Sequence, residues 1–125
     1  MSVPTQTRAA AYQQSSILTA PPAQLVVMLY DGARRFLFQA SAAMREGNHQ
    51  LAHQRLRRAE DILSELLNTL DHERGGTIAA HLQGIYVFCL AELGRARTEL
   101  DPDRVDWTQA QLTELRDSWA QIAAA

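Results

Sequence analysis

The sequence predicts an all-α fold, an antiparallel up-and-down four-helix bundle preceded by a flexible N-terminal segment. Three observations carry that prediction. Apolar residues recur at steps of three and four along four separate segments, the spacing that places them on one side of a helix. Glycine, proline, asparagine or aspartate marks the boundaries of those segments, where helices start and stop. No stretch alternates with the period of two that a strand requires.

Residues 1–20 are small and polar, with Tyr12, Ile17 and Leu18 as isolated larger groups. They carry too little apolar surface to fold alone and read as a flexible tail with three sticky points. Pro21-Pro22 closes the tail, and Pro22 suits a first helical position, so a first helix is expected over 22–46, ending at Gly47. Within it, positions 25, 29, 33, 36, 40 and 43 keep a helical stripe, yet residues 25–30 are six consecutive apolar residues. Val26, Val27, Met28, Tyr30 and Phe38 therefore exceed what one core-facing stripe needs.

Asn48 is a good cap for a second helix over 49–70, whose ladder is Leu51, Ala52, Leu56, Ala59, Ile62 and Leu63, Leu66 and Leu67, and Leu70. Its other side carries Arg55, Arg57, Arg58, Asp61 and Glu65, the composition of a solvated face. After the polar loop Asp71-His72-Glu73-Arg74-Gly75-Gly76, a third helix is expected over 77–100. There Ile78, Leu82, Ile85, Cys89, Leu93, Ala96 and Leu100 form a sustained seam, with Tyr86, Val87, Phe88 and Leu90 in excess. Asp101-Pro102-Asp103 breaks the chain. Asp106, with Gln109 three residues on, starts a fourth helix over 106–123 that carries Leu112, Leu115, Trp119 and Ile122.

The 125 residues make one domain with a core of its own, in a chain that is 46% hydrophobic and 21% charged. A net charge of −2 gives no reason to expect nucleic acid or an anionic membrane as partner. All twelve basic residues are arginines, but acidic residues interleave with them and no aromatic platform accompanies them. Cys89 is the lone cysteine and sits in an apolar run, which reads as a buried, inert thiol in a reducing compartment. No apolar run approaches membrane-spanning length and no apolar leader opens the chain, so a cytoplasmic protein without membrane insertion is expected.

Four-helix bundles often hold metals, but the one Glu-x-x-His match, Glu46 to His49, has a helix break inside it. His49 and His53 stack one turn apart without a third ligand nearby, and His81 lies beside the seam. Cys89 has no second cysteine and no evident base, and Gly75-Gly76 is a turn. The sequence thus points to no enzyme, metal or cofactor. What it leaves unexplained is hydrophobic.

Motifs along the chain resemble one known family. Ala11-Tyr12-Gln13-Gln14, then Thr19-Ala20-Pro21-Pro22 followed by Gln24-Leu25 and Met28-Leu29-Tyr30-Asp31-Gly32, is similar to the start of the flagellin-specific export chaperones, the FliS family. Leu70-Asp71, Glu73-Arg74-Gly75-Gly76, Ile85-Tyr86 and Glu114-Leu115-Arg116-Asp117-Ser118-Trp119 continue the resemblance in order, from residue 11 to about 122. It implies a cytosolic type III export chaperone that binds the disordered C-terminal segment of flagellin, prevents premature polymerisation and supports delivery to the export apparatus. The flagellar export gate and an anti-sigma or assembly factor are further implied partners. Val26, Val27, Tyr30, Val87, Phe88 and Leu90 are the expected client contacts, with Tyr12, Ile17 and Leu18 covering the groove when no client is present. The alternative is a self-associating helical bundle, a homodimer, without a flagellin client.

Overall fold

A computed structural model describes residues 22–124 as four helices, α1 (Pro22–Arg45), α2 (His49–Asn68), α3 (His72–Glu99) and α4 (Pro102–Ala124). The tail, with Tyr12, Ile17 and Leu18, lies outside the described residues. Successive helices run antiparallel through short turns, each closed by local chemistry. Gly47 takes a φ of 78° that a β-carbon would disfavour, and the Asn48 side chain accepts a hydrogen bond from the Leu51 N–H at 3.2 Å. The Asp71 carboxylate accepts from the Arg74 N–H at 3.0 Å and caps α3. Leu100, left-handed at φ 52°, ends it.

Around the bundle, α1 packs against α2 and α4, and α3 closes the square against α2 and α4 from the far corner. Small residues let α1 and α2 approach closely: Ala33, Ala40 and Ala43 are buried on one, Ala52 and Ala59 on the other. A β-carbon on Gly32 would stand 3.3 Å from Cδ1 of Ile62. Ion pairs stitch the other sides. Arg97 pairs with Glu60 between α3 and α2, Arg104 with Glu92 at 2.9 Å between α4 and α3, and Arg116 with Asp31 at 2.9 Å between α4 and α1.

Several boundaries and faces differ from the sequence expectation. α3 starts at His72 rather than Thr77, because Asp71 caps a turn that bends into the rest of the helix at Gly76 (φ 49°, ψ −121°). α4 starts at Pro102 rather than Asp106, since the Asp101 carboxylate accepts from the Asp103 N–H at 3.0 Å and Pro102 needs no donor in a first turn. On α1 the buried stripe is Tyr30, Ala33, Leu37, Ala40, Ser41 and Met44, with Ala43 beside it, so Leu25, Leu29 and Phe36 are only partly covered. The α3 core stripe is Ala79, Leu82, Tyr86, Cys89, Leu93 and Ala96, while Ile78, Ile85 and Leu100 are exposed. The expected and observed stripes share Leu82, Cys89, Leu93 and Ala96, and differ where Ala79 and Tyr86 turn inward in place of Ile78 and Ile85. The Tyr86 hydroxyl needs a partner in the core and finds Tyr30.

Composition sets one helix apart. By length and composition α3 contains a stretch apolar enough to cross a bilayer, and only 33% of that stretch is buried. The same helix gives one side to the core and leaves an almost uncharged side outward, which produces this composition.

Candidate binding surface

At the end of the bundle where α1 begins, the helices part around an apolar groove of about 430 Å³. Its walls are built from Val26 of α1, Leu66 of α2, Ile78, Leu82 and Tyr86 of α3, and Trp119 of α4. The bend at Gly76 gives the groove its rim: it turns the first turn of α3 so that Asp71, Arg74 and Gly75 border the opening. A larger hollow of about 630 Å³ at the start of α2 is open and lined by polar side chains, among them Asn48, Gln50, His53 and Arg57. Leu51 is its one aliphatic side chain, against the several that line the groove at the other end.

Below the groove floor lies the pair that centres the core. The Tyr30 and Tyr86 hydroxyls are 2.5 Å apart, and both residues are buried. Burial, and then the hydrogen bond to Tyr86, raises the Tyr30 pKa above that of an ordinary phenol, and burial also raises Tyr86. Burial, with the Glu92 carboxylate adding to it, pushes the nearby Cys89 thiol up to about 11. At neutral pH all three groups are uncharged, suited to structure rather than proton transfer or nucleophilic attack.

A second apolar area lies along α3. Val87 is 51% exposed and Phe88 54%, and the Phe88 ring meets Trp107 of α4 edge to face, with centroids 5.5 Å apart. Between α3 and α4 a shallower hollow of about 340 Å³ is lined by His81, Ile85, Phe88 and Trp107.

The expected client contacts therefore do not form one surface. Val26 is half-buried and lines the groove; Val27 is half-buried on α1. Tyr30 is fully buried and presents nothing to a partner in this conformation. Val87 and Phe88 share the exposed side of α3, whereas Leu90 packs partly against the core. Sequence reasoning missed Ile78, Trp107 and Trp119. Spacing places Ile78 in the core seam of α3 and Trp119 in the α4 ladder, and Trp107 stands outside any ladder that spacing reveals. The histidines His49, His53 and His81 are exposed, and among the described residues no three His, Cys, Asp or Glu side chains gather to hold a metal ion.

Comparison with known proteins follows the same lines. The family model described as "Flagellar protein FliS" matches residues 5–125. The chain is 35% identical over 108 residues to the flagellar secretion chaperone FliS of Vibrio cholerae, covering 86% of this chain and 79% of that protein. Against the flagellar secretion chaperone FliS of Campylobacter jejuni it is 32% identical over 112 residues, 90% of this chain and 88% of that protein. Against the protein of the same name in Bacillus subtilis it is 31% identical over 111 residues, covering 89% and 82%.

Proposed function

The chain belongs to the FliS family of flagellar secretion chaperones, and from that premise we propose that it captures the C-terminal segment of flagellin in the cytoplasm, without chemistry of its own. The observation that carries this reading is apolar surface left open on an otherwise well-packed bundle. A groove lined by Val26, Ile78, Leu82 and Trp119 opens at one end, and Val87 and Phe88 lie exposed along α3. A client that is disordered when free orders only as it binds, so part of the interaction energy is offset by lost entropy. Wrapping several separate apolar areas suits such a client better than filling one deep pocket. Each large aliphatic or aromatic side chain buried from the client contributes about 1.5–3 kcal/mol before that offset. The complex then holds its client against polymerisation and still releases it at the export gate. An anti-sigma or assembly factor would use the same exposed apolar areas.

The tail belongs to this reading. Pro22, where α1 begins, lines the groove. Tyr12, Ile17 and Leu18 act as an intramolecular cover that the client displaces.

Titration calorimetry with flagellin, and with flagellin lacking its C-terminal segment, tests the function. Binding is expected to the first and not to the second. Phe88→Asp should weaken capture while leaving helicity unchanged, because the side chain is more than half exposed. Equal binding to both flagellins, or to neither, would overturn the assignment.

A further inference from the structure

Most arginines of the bundle have a partner. Those of α3 and α4, with Arg34 and Arg45 of α1, each reach a carboxylate oxygen at 3.8 Å or less. Among the described residues Arg35, Arg55, Arg57 and Arg58 reach none, and residues 1–21 contain no aspartate or glutamate that could supply one. Arg35, Arg57 and Arg58 are exposed and Arg55 is half-buried.

These four gather on one side of the molecule. Gly32 of α1 lies against Ile62 of α2, and the two helices run in opposite directions. Arg35 comes three residues after Gly32 and Arg58 four before Ile62, about 4.5 and 6 Å the same way along the bundle. The pair thus stands at one level, and Arg55 follows about one turn further on. Arg57 carries the strip round to the hollow of about 630 Å³, beside Gln50, His53 and Gln54.

Their order along α2 is unfavourable for the helix itself. Arg55, Arg57 and Arg58 all fall in its first half and Glu60, Asp61 and Glu65 in its second, with no acidic residue in the first turn and no basic one in the last. The helix dipole favours the reverse, and an arginine four residues before its aspartate is the weaker orientation of such a pair. Local helix stability therefore does not account for the arrangement.

We infer that the outer face of α1 and α2 docks an acidic segment of a second protein, whose carboxylates meet Arg35, Arg55, Arg57 and Arg58. The planar guanidinium fork matches a carboxylate with two parallel hydrogen bonds. Asp61 and Glu65, exposed one and two turns beyond Arg57, decide the class of partner. They repel the continuous phosphates of a nucleic acid, whereas a protein segment answers them with its own lysine or arginine. The α1–α2 side lies opposite the α3–α4 side that carries Phe88 and Trp107, so this partner docks clear of a client held there. Exposed charge pairs are individually weak and screened by salt, which makes the docking reversible.

A synthetic helical peptide with four glutamates followed by two lysines, titrated into the isotope-labelled full chain, tests the proposal by NMR and calorimetry. Amide shifts are expected around Arg35 and from His53 to Arg58, with binding that weakens as salt rises. Arg57→Glu with Arg58→Glu should weaken binding about tenfold at unchanged helicity, because both side chains are exposed. Arg57→Gln with Arg58→Gln should act in the same direction without adding negative charge, and Arg95→Glu on α3 should have no effect. Binding retained by both double variants, shifts as large around Arg74 and Arg95 as on α2, or tighter binding of an oligothymidylate of equal charge would each overturn it. The docking is measured without flagellin: a chain that captures flagellin and ignores the peptide refutes the docking alone, and one that takes the peptide and ignores flagellin refutes the function alone.

Discussion

The hydroxyls of Tyr30 on α1 and Tyr86 on α3 meet at 2.5 Å across the diagonal of the bundle, with both rings shut away from water. These two helices occupy opposite corners and share no closely packed backbone. The phenol pair is thus a direct link between the most tightly packed helix and the one that carries most of the open apolar surface. Removing one hydroxyl leaves the other buried without its partner, a loss of about 1–3 kcal/mol. Removing both leaves two apolar rings of nearly unchanged shape. Tyr30→Phe and Tyr86→Phe should each lower stability to urea by that order, and the double variant should lose less than the sum. An additive double variant would mean that the hydroxyls act independently.

Stability should fall off at both ends of the pH scale for separate reasons. The folded pKa of Tyr30, raised by burial and then by Tyr86, exceeds that of the unfolded chain. Its contribution is therefore complete below about pH 10 and is lost as pH rises above it. For Asp31 burial alone would raise the carboxyl, but hydrogen bonds and charge from Arg116 and then Arg34 outweigh it and hold the pKa below the usual carboxylate range. That contribution is present above about pH 4 and is lost as pH falls through the folded value. Urea midpoints measured against pH should show the alkaline fall reduced in the double Tyr→Phe variant and the acid fall reduced in Asp31→Asn.

Two glycines of α3 should respond to alanine with opposite signs. Gly76 holds a backbone conformation, φ 49° and ψ −121°, that a β-carbon strains. Gly76→Ala should cost about 1–3 kcal/mol and disturb the turn that forms the groove rim. Gly84 is helical with open space around it, so Gly84→Ala should stabilise the chain by roughly 0.5–1 kcal/mol. Thermal unfolding of the two variants separates them, and a shared direction would contradict this account.

The helices and their order were legible because burial repeats at a period that sequence displays directly. On α2 the expected Ala52, Leu56, Ala59, Leu63 and Leu66 are buried, Leu51, Ile62, Leu67 and Leu70 pack partly against the core, and the opposite side is charged. Legibility failed where apolar residues crowd. On α3, Ile78 and Ile85 fit the period as well as Ala79 and Tyr86, yet it is the latter pair that is buried, with the Tyr86 hydroxyl bonded to a residue of another helix. The same crowding leaves Tyr30 open to either reading by spacing; in the structure it is buried in the core. The groove was the least legible feature. It draws on all four helices, and its rim depends on a backbone bend at Gly76 that no periodicity encodes.

The tail supplies the last prediction. A segment tethered at the edge of the groove competes with a free client at an effective concentration on the order of mM, whatever its intrinsic affinity. A cover with a weak, millimolar affinity would then occupy the groove about half the time, and the client would bind about twofold more weakly than it does to an open groove. Tighter covering increases the penalty in proportion. For a cover of that affinity, a chain lacking residues 1–18 should bind the flagellin C-terminal peptide about twofold more tightly, and mostly through faster association, because the groove no longer has to clear. Substituting Ile17 and Leu18 with serine in the full chain should reproduce the gain, which separates lost side-chain contacts from lost chain length. Calorimetry gives the affinity and stopped-flow fluorescence of Trp119, at the groove wall, gives the rate. Truncated and full-length chains with the same affinity and the same association rate would show that the tail does not cover the groove.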